Sequence, residues 1–179
     1  RHVGHCLGLA DNVAGSFAYP VDSLAKAEFT HRNGLASSVM DELPFNFIAF
    51  SSENVEKGTM MIQDRLGDYD YYALSCLYGD GQIETKNAFY GKRQKTTDFY
   101  DPRSMSFDLG DDAVRSVEKG FEGLAVTLSG LNDWIGKSDS DFNFRQGLQE
   151  AVVLQAYEYI KQVFVNVGGI YVNPKVAGE

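Results

Sequence analysis

His2, His5 and Asp11, close together at the start of the chain, have the side-chain types that hold a metal ion, and Glu42 is a fourth group able to bind an ion or move a proton. His2 and His5 stand at i and i+3, a spacing that brings them near one face of a helix. Asp11 or Glu42 then adds an oxygen, giving a His, His, carboxylate set of the kind that suits zinc. His5 and Asp11 are then the ligands with His2 as a candidate third, and Glu42, or His2 where it does not bind the ion, is the candidate base that activates water. The same residues also have plain structural uses. His5 can bond a backbone carbonyl, His2 can sit on the surface, Asp11 with Asn12 can end a helix, and Met40 can fill a core. His31, in "THRNG", reads as an exposed turn residue.

The 179 residues are 44% hydrophobic and carry a formal net charge of -9. That is enough chain for one core of ordinary size. The acidity would repel phosphate backbones, and the Lys and Arg residues are scattered singly, so nucleic acid is excluded as a partner. No run approaches the roughly 18 apolar residues that cross a bilayer, so the chain carries no transmembrane segment of its own. Cys6 and Cys76 are too few for a disulfide framework and wrongly spaced for a Cys-based zinc site. One bridge or two separate buried thiols both fit.

Elements must position these groups. Residues 2 to 9 read as the tail of a helix, with Val3, Leu7 and Leu9 apolar and Gly8 at the turn. A helix starting at the first residue without a cap points to chain upstream of it, so a fragment is expected. Residues 10 to 60 hold many turn formers and read as a long, mostly irregular section packed by Phe17, Tyr19, Phe29, Phe45, Phe47 and Phe50. "LGDYDYYALSCLYG" reads as a short helix ending at Gly79, and residues 80 to 100 as a hairpin or an excursion. A long helix follows "FDLGDD", capped by Asp108, Asp111 and Asp112, with Val114, Val117, Phe121, Leu124, Leu128, Leu131 and Ile135 as its apolar stripe and Gly136 as its stop. A second runs from about Phe144 to Val167, with Leu148, Val152, Tyr157, Ile160, Phe164 and Val167 inward. The two form a helical hairpin.

Gly4, His5, Leu7, Gly8, Leu9 and Asn12 stand where a metzincin active-site helix would place its signature, and "SSVMDE", Ser37 to Glu42, looks like a Met-turn with Met40 as its methionine. With "GSFAYPVDSL", "FTHRNGLASSVMD", "GDYDYYAL", "YDPRS", "DLGDDAV" and "NVGGIYVNP", the chain resembles the Met-zincin family of large secreted bacterial zinc-dependent metalloproteases over essentially its whole length. The resemblance implies a mainly α fold: the end of an active-site helix, the Met-turn, a long irregular section and a helical hairpin, with at most a minor β-hairpin. It implies a single domain over residues 1–179, the second half of a catalytic region whose sheet lies upstream. Zinc would be the cofactor and a peptide or protein the partner. The location implied is secreted, periplasmic or outer-membrane-associated.

The departures from that pattern are chemical. The family pattern has histidines at the positions of Arg1, His5 and Asp11, a glutamate base at His2 and a tyrosine at Glu42. Arginine stays protonated and offers no lone pair, whereas Asp11 remains an oxygen donor. The lost base and tyrosine are groups each worth about two to four powers of ten in rate. The pattern therefore implies a scaffold that has kept its shape, with zinc absent or weakly bound, peptidase activity lost, and a role in binding peptide or protein. The alternative is an active zinc-dependent metalloendopeptidase with an altered ligand set.

Overall fold

A computed structural model describes residues 1–51, 57–87, 89–92, 101–135 and 143–171. Among them the regular structure is helical, with six α-helices and no strand. Helix α1, His2–Cys6, ends where Gly8 takes a positive φ of 81°, which turns the chain back under the helix. Two 3-10 turns, Ser16–Ala18 and Val21–Ala25, lead into α2, Ala27–Asn33, and after it comes α3, Phe47–Ser51. The stretch expected to be mostly irregular thus holds several short helices. They are too short to reveal a 3.6-residue period. His31 lies exposed in the last turn of α2 rather than in a loop, with its Nε2 2.9 Å from the Gly58 carbonyl.

Helix α4, Asp68–Tyr78, ends at Gly79 as the sequence predicts. The hairpin expected over residues 80 to 100 is absent among the described residues there; position 88 and positions 93–100 lie outside them. What holds this excursion is the turn after α1. The Val13 N–H donates to the Gly91 carbonyl at 2.8 Å, the Gly91 N–H donates to Asn12 Oδ1 at 3.0 Å, and Asn12 Nδ2 donates to the Phe89 carbonyl at 2.8 Å. Asn12 is fully buried and its side chain does the work of a strand partner.

Helices α5, Ala113–Ile135, and α6, Asn143–Phe164, form the expected helical hairpin, and α3 lies against α5. Of the three aspartates assigned to capping, only Asp112 caps, accepting the Val114 and Arg115 N–H groups at 3.0 and 3.1 Å. Asp111 accepts the Val21 N–H at 3.1 Å, and Asp108 is buried against Ser16. Along α5, Val117 and Leu131 are buried, Leu124 packs against the core and Phe121 sets its ring edge-on against Tyr159, but Val114 and Leu128 are about half exposed. On α6, Leu148 and Val152 are half-buried on the side facing α5 as expected, but beyond them the inward face is Tyr159, Gln162 and Val163, and Tyr157, Ile160, Phe164 and Val167 are exposed. Helix α6 carries apolar residues around most of its circumference, so its period does not single out one face. The stops at Gly136 and Pro174 lie outside the described residues.

The core gathers Tyr19, Val21, Leu24, Leu35, Phe47, Ile48, Leu109, Val117 and Tyr159. It joins the 3-10 turns to α3, α5 and α6, so the C-terminal helices buttress the segment on either side of Met40. Phe45 and Phe50, expected to pack, are instead about half exposed. Cys6 and Cys76 are both free and exposed rather than bridged or buried.

Candidate functional site

Helix α1 presents its residues to the turn at 37–42 through one close approach. Met40 is completely buried, and a β-carbon at Gly4 would overlap its Sδ. The thioether therefore seats directly under α1, and only glycine leaves room for it there. Asn12 N–H also donates to the Met40 carbonyl, at 3.4 Å. The helix and the turn are in this way held as one unit.

That unit brings together four residues that the sequence scatters. Arg1 Nη2 donates to Asp11 Oδ1 at 2.5 Å, and Arg1 Nη1 donates to Glu42 Oε1 at 2.5 Å. His5 Nε2 stands 3.2 Å from the same Asp11 Oδ1. Charge-assisted bonds of this kind are the strong ones. Arg1, read from sequence only as a lost ligand, is the hub of the site. The sequence holds only part of its signal: one cation at helical spacing from His5, with carboxylates at two of the other three altered positions. His2, by contrast, is exposed on α1 and stands outside the cluster.

The turn itself is braced by a residue the sequence reading passed over. Asp70, fully buried in the first turn of α4, accepts the Ser38 Oγ–H at 2.6 Å, the Val39 N–H at 2.8 Å and the Gly67 N–H at 2.9 Å. The Tyr69 N–H donates to the Ser37 carbonyl at 2.9 Å. This contact is so close that a β-carbon at Gly67 would run into the Ser37 backbone. The Gly-x-x-Asp spacing is the readable signal, because Asp70 sits three residues beyond the cap of α4.

Two further carboxylates lie behind the turn. Asp41 accepts the Ser16 N–H at 2.8 Å and the Glu42 N–H at 2.7 Å, and Asp108 accepts the Ser16 Oγ–H at 3.1 Å. Burial pushes Asp41 up to about 7, against the weaker pull of its backbone donors and of Arg1. Burial, with the charge of Asp41 next, raises Asp108 well above the usual carboxylate range. On the other side, the Glu42 carbonyl accepts the Phe107 N–H at 2.7 Å, and Gln162 Nε2 donates to the Phe107 carbonyl at 2.7 Å. Phe107 is held at a φ of 66°, an unusual value for a bulky residue.

Beside the cluster runs a groove of about 720 Å³, bordered by Arg1, Val3, Leu7, Leu43, Phe45 and Ile62 among others. Val3, Phe45 and Ile62 are more than half exposed. Its walls are mostly apolar, as a site for peptide side chains would be.

Zinc needs three or four donors converging on one point. Here Asp11 Oδ1 is shared by His5 Nε2 at 3.2 Å and Arg1 Nη2 at 2.5 Å, and the guanidinium has no lone pair to offer an ion. Among the described residues no group of three or more His, Cys, Asp or Glu side chains is placed to hold a metal ion. The residues present do not fit zinc. Among the same residues, no helix is long and apolar enough to cross a membrane.

No curated protein and no solved structure matches the chain. A family model described as Met-zincin matches residues 1–179, its whole length. The likeness read from α1 and the Met-turn is thereby shown, and the chain belongs to the Met-zincin family.

Proposed function

We infer that this chain is a Met-zincin domain that no longer hydrolyses peptides and instead binds a peptide or protein. The observation that carries the reading is the Arg1 guanidinium, bonded at once to Asp11 and Glu42 in the middle of the family's site. With Arg1, His2, Asp11 and Glu42 at the altered positions, the roles of ligand, base and tyrosine are all changed together, while Gly4, Met40 and Asn12 keep the helix and turn in register. Selection for shape without chemistry leaves that pattern. The apolar groove beside the cluster is the binding surface on this reading. A secreted or envelope-exposed location goes with it, checked by fractionation of the producing cells.

The test is a peptide array probed with the purified chain in the presence of zinc. Expected is binding with every peptide recovered intact, weakened at least about tenfold by Ile62→Glu, since Ile62 is 64% exposed and its replacement leaves the core untouched. Chelator-sensitive cleavage of any bound peptide would establish the altered-ligand peptidase instead, with His5 and Asp11 as ligands and Glu42 or His2 as base.

A further inference from the structure

We propose that the peptide-binding groove continues across Pro44 into a second compartment, and that Phe107 grips an aromatic side chain of the bound peptide there. The inference deepens the reading just given and rests on it.

The second compartment is a pocket of about 560 Å³ between residues 104–107 and the C-terminal half of α6. Pro44 borders both this pocket and the groove beside Arg1, so a single residue serves as the wall they share. An extended peptide lying in the groove and crossing that wall enters the pocket next.

Phe107 and Gln162 meet at this pocket, and each is an unfavourable choice for stability alone. Phe107 is held at a φ of 66°, which strains a bulky residue and suits glycine, yet it is 59% exposed and so gains little burial in return. Two hydrogen bonds impose the conformation. The Phe107 N–H donates to the Glu42 carbonyl at 2.7 Å, and Gln162 Nε2 donates to the Phe107 carbonyl at 2.7 Å. Gln162 is 8% exposed, and among the described residues its buried Oε1 has no hydrogen-bond partner. A buried acceptor left unpaired destabilises a fold. A strained, exposed ring bonded to a half-satisfied amide is the kind of local conflict that gathers where a ligand is held.

The chemistry of the pocket selects its occupant. Buried Met105 lines it together with Phe107 and Pro44. Its two charged groups, Lys161 Nζ and Glu158 Oε1, stand 2.6 Å apart and satisfy each other. A charged side chain entering the pocket would lose its water and meet no free partner. An aromatic ring gains instead, because ring-to-ring contact with Phe107 adds to the area buried and a thioether packs well against a ring.

Two sets of fluorescein-labelled synthetic peptides in a Gly-Ser background, read by anisotropy, test this. The first set carries a Leu-Ile-Leu block for the groove, and the second adds Tyr or Asp at each other position in turn. Expected is that the native chain binds the block, and that Tyr at one spacing from it strengthens binding about tenfold while Asp there does not. Phe107→Gly should lose the Tyr gain but keep the binding of the block and the melting temperature. Should Phe107→Gly melt lower, Phe107→Asn removes the ring at a residue that also tolerates left-handed backbone. Ile62→Glu should weaken both sets alike. Block binding that Ile62→Glu weakens, with no Tyr gain at any spacing, overturns the inference and leaves the proposed function standing, as does a Tyr gain that persists in both Phe107 variants. Failure of the native chain to bind either set overturns both.

Discussion

Arg1 and Glu42, 41 residues apart in the chain, meet at 2.5 Å between Nη1 and Oε1. The pair ties the start of α1 to the far end of the Met-turn, and the second bond of the same guanidinium ties both to Asp11. In a metal enzyme an ion makes such cross-links. Here a side chain makes them.

Removing that hub should loosen the domain measurably. The Arg1 side chain is 30% exposed and its partners 45% and 16%, so each pair is partly screened by water. Arg1→Ala is expected to cost about 1–2 kcal/mol, less at high salt, because partly exposed ion pairs are worth little singly and more in a network. Chemical denaturation at two salt concentrations checks this. A double-mutant cycle with Glu42→Gln isolates the Arg1–Glu42 share.

Asp70 should matter more than any surface charge. Replacing it with Asn sets an amide N–H₂ against at least one of the three donors it now accepts. The expected cost is about 2–4 kcal/mol, since buried donors left without an acceptor keep their desolvation penalty. The melting temperature of Asp70→Asn reports it, and Asp70→Glu should not rescue the loss.

The two close glycines predict a contrast. Gly4→Ala pushes against the Met40 thioether, and Gly67→Ala pushes against the Ser37 backbone. A side chain yields more readily than a fixed carbonyl. Gly4→Ala should therefore cost about 1–3 kcal/mol, as overpacked cores do, and should be partly relieved by trimming Met40 to Ala. Gly67→Ala should cost more and gain nothing from that change. Urea melts of the four proteins decide it.

The buried acids give stability a direction in pH. Asp41 is raised by burial from 3.8 to about 7, and Asp108 is raised as well. A carboxyl whose folded pKa exceeds its unfolded one contributes stability that is fully present below the unfolded value and is lost as pH rises through the folded value. Stability should thus fall between about pH 4 and pH 7, by up to about 1.4 kcal/mol per pH unit for each such group. Asp22, held low by Arg115, acts with the opposite sign, but its contribution is lost only as pH falls below the ordinary 3.8. Melting temperature against pH should slope downward over that window in the native chain and flatten in Asp108→Asn.

Phe107 holds a left-handed φ while its ring is 59% exposed. Glycine at this position removes strain of about 1–3 kcal/mol and adds about 0.5–1 kcal/mol of chain entropy to the unfolded state. Phe107→Gly should leave the melting temperature unchanged or raise it by a few degrees. A large fall would mean that the exposed ring packs on something.

What was legible in the sequence was the frame. Gly8, Met40 and Asn12 at their spacings marked the helix, its turn and the methionine beneath, and the long amphipathic run after Asp112 marked α5. Less was legible where a residue's role depends on partners far along the chain. Nothing local to Asp70 shows that it faces Ser38, and nothing local to Asp108 shows that it is buried against Ser16 rather than capping a helix. Leu148 and Val152 face α5 as expected, but the C-terminal half of the inward face of α6 differs from the expectation, because apolar side chains surround that helix and its face is set by what Tyr159 and Gln162 meet. Arg1 was legible as an absence of zinc chemistry but not as a replacement for its charge, because that requires Asp11 and Glu42 to be seen on either side of it.

The central claim is that a guanidinium occupies the place of the ion, and the metal content of the native chain tests it most directly. The protein would be saturated with zinc, desalted, and assayed for metal per chain alongside His5→Ala, with melting recorded before and after chelation. The account predicts far less than one zinc per chain, no difference between the two proteins, and a melting temperature indifferent to chelator, since a bound structural ion would couple to stability. About one zinc per native chain, absent from His5→Ala and removed by chelator with a fall in melting temperature, would contradict it.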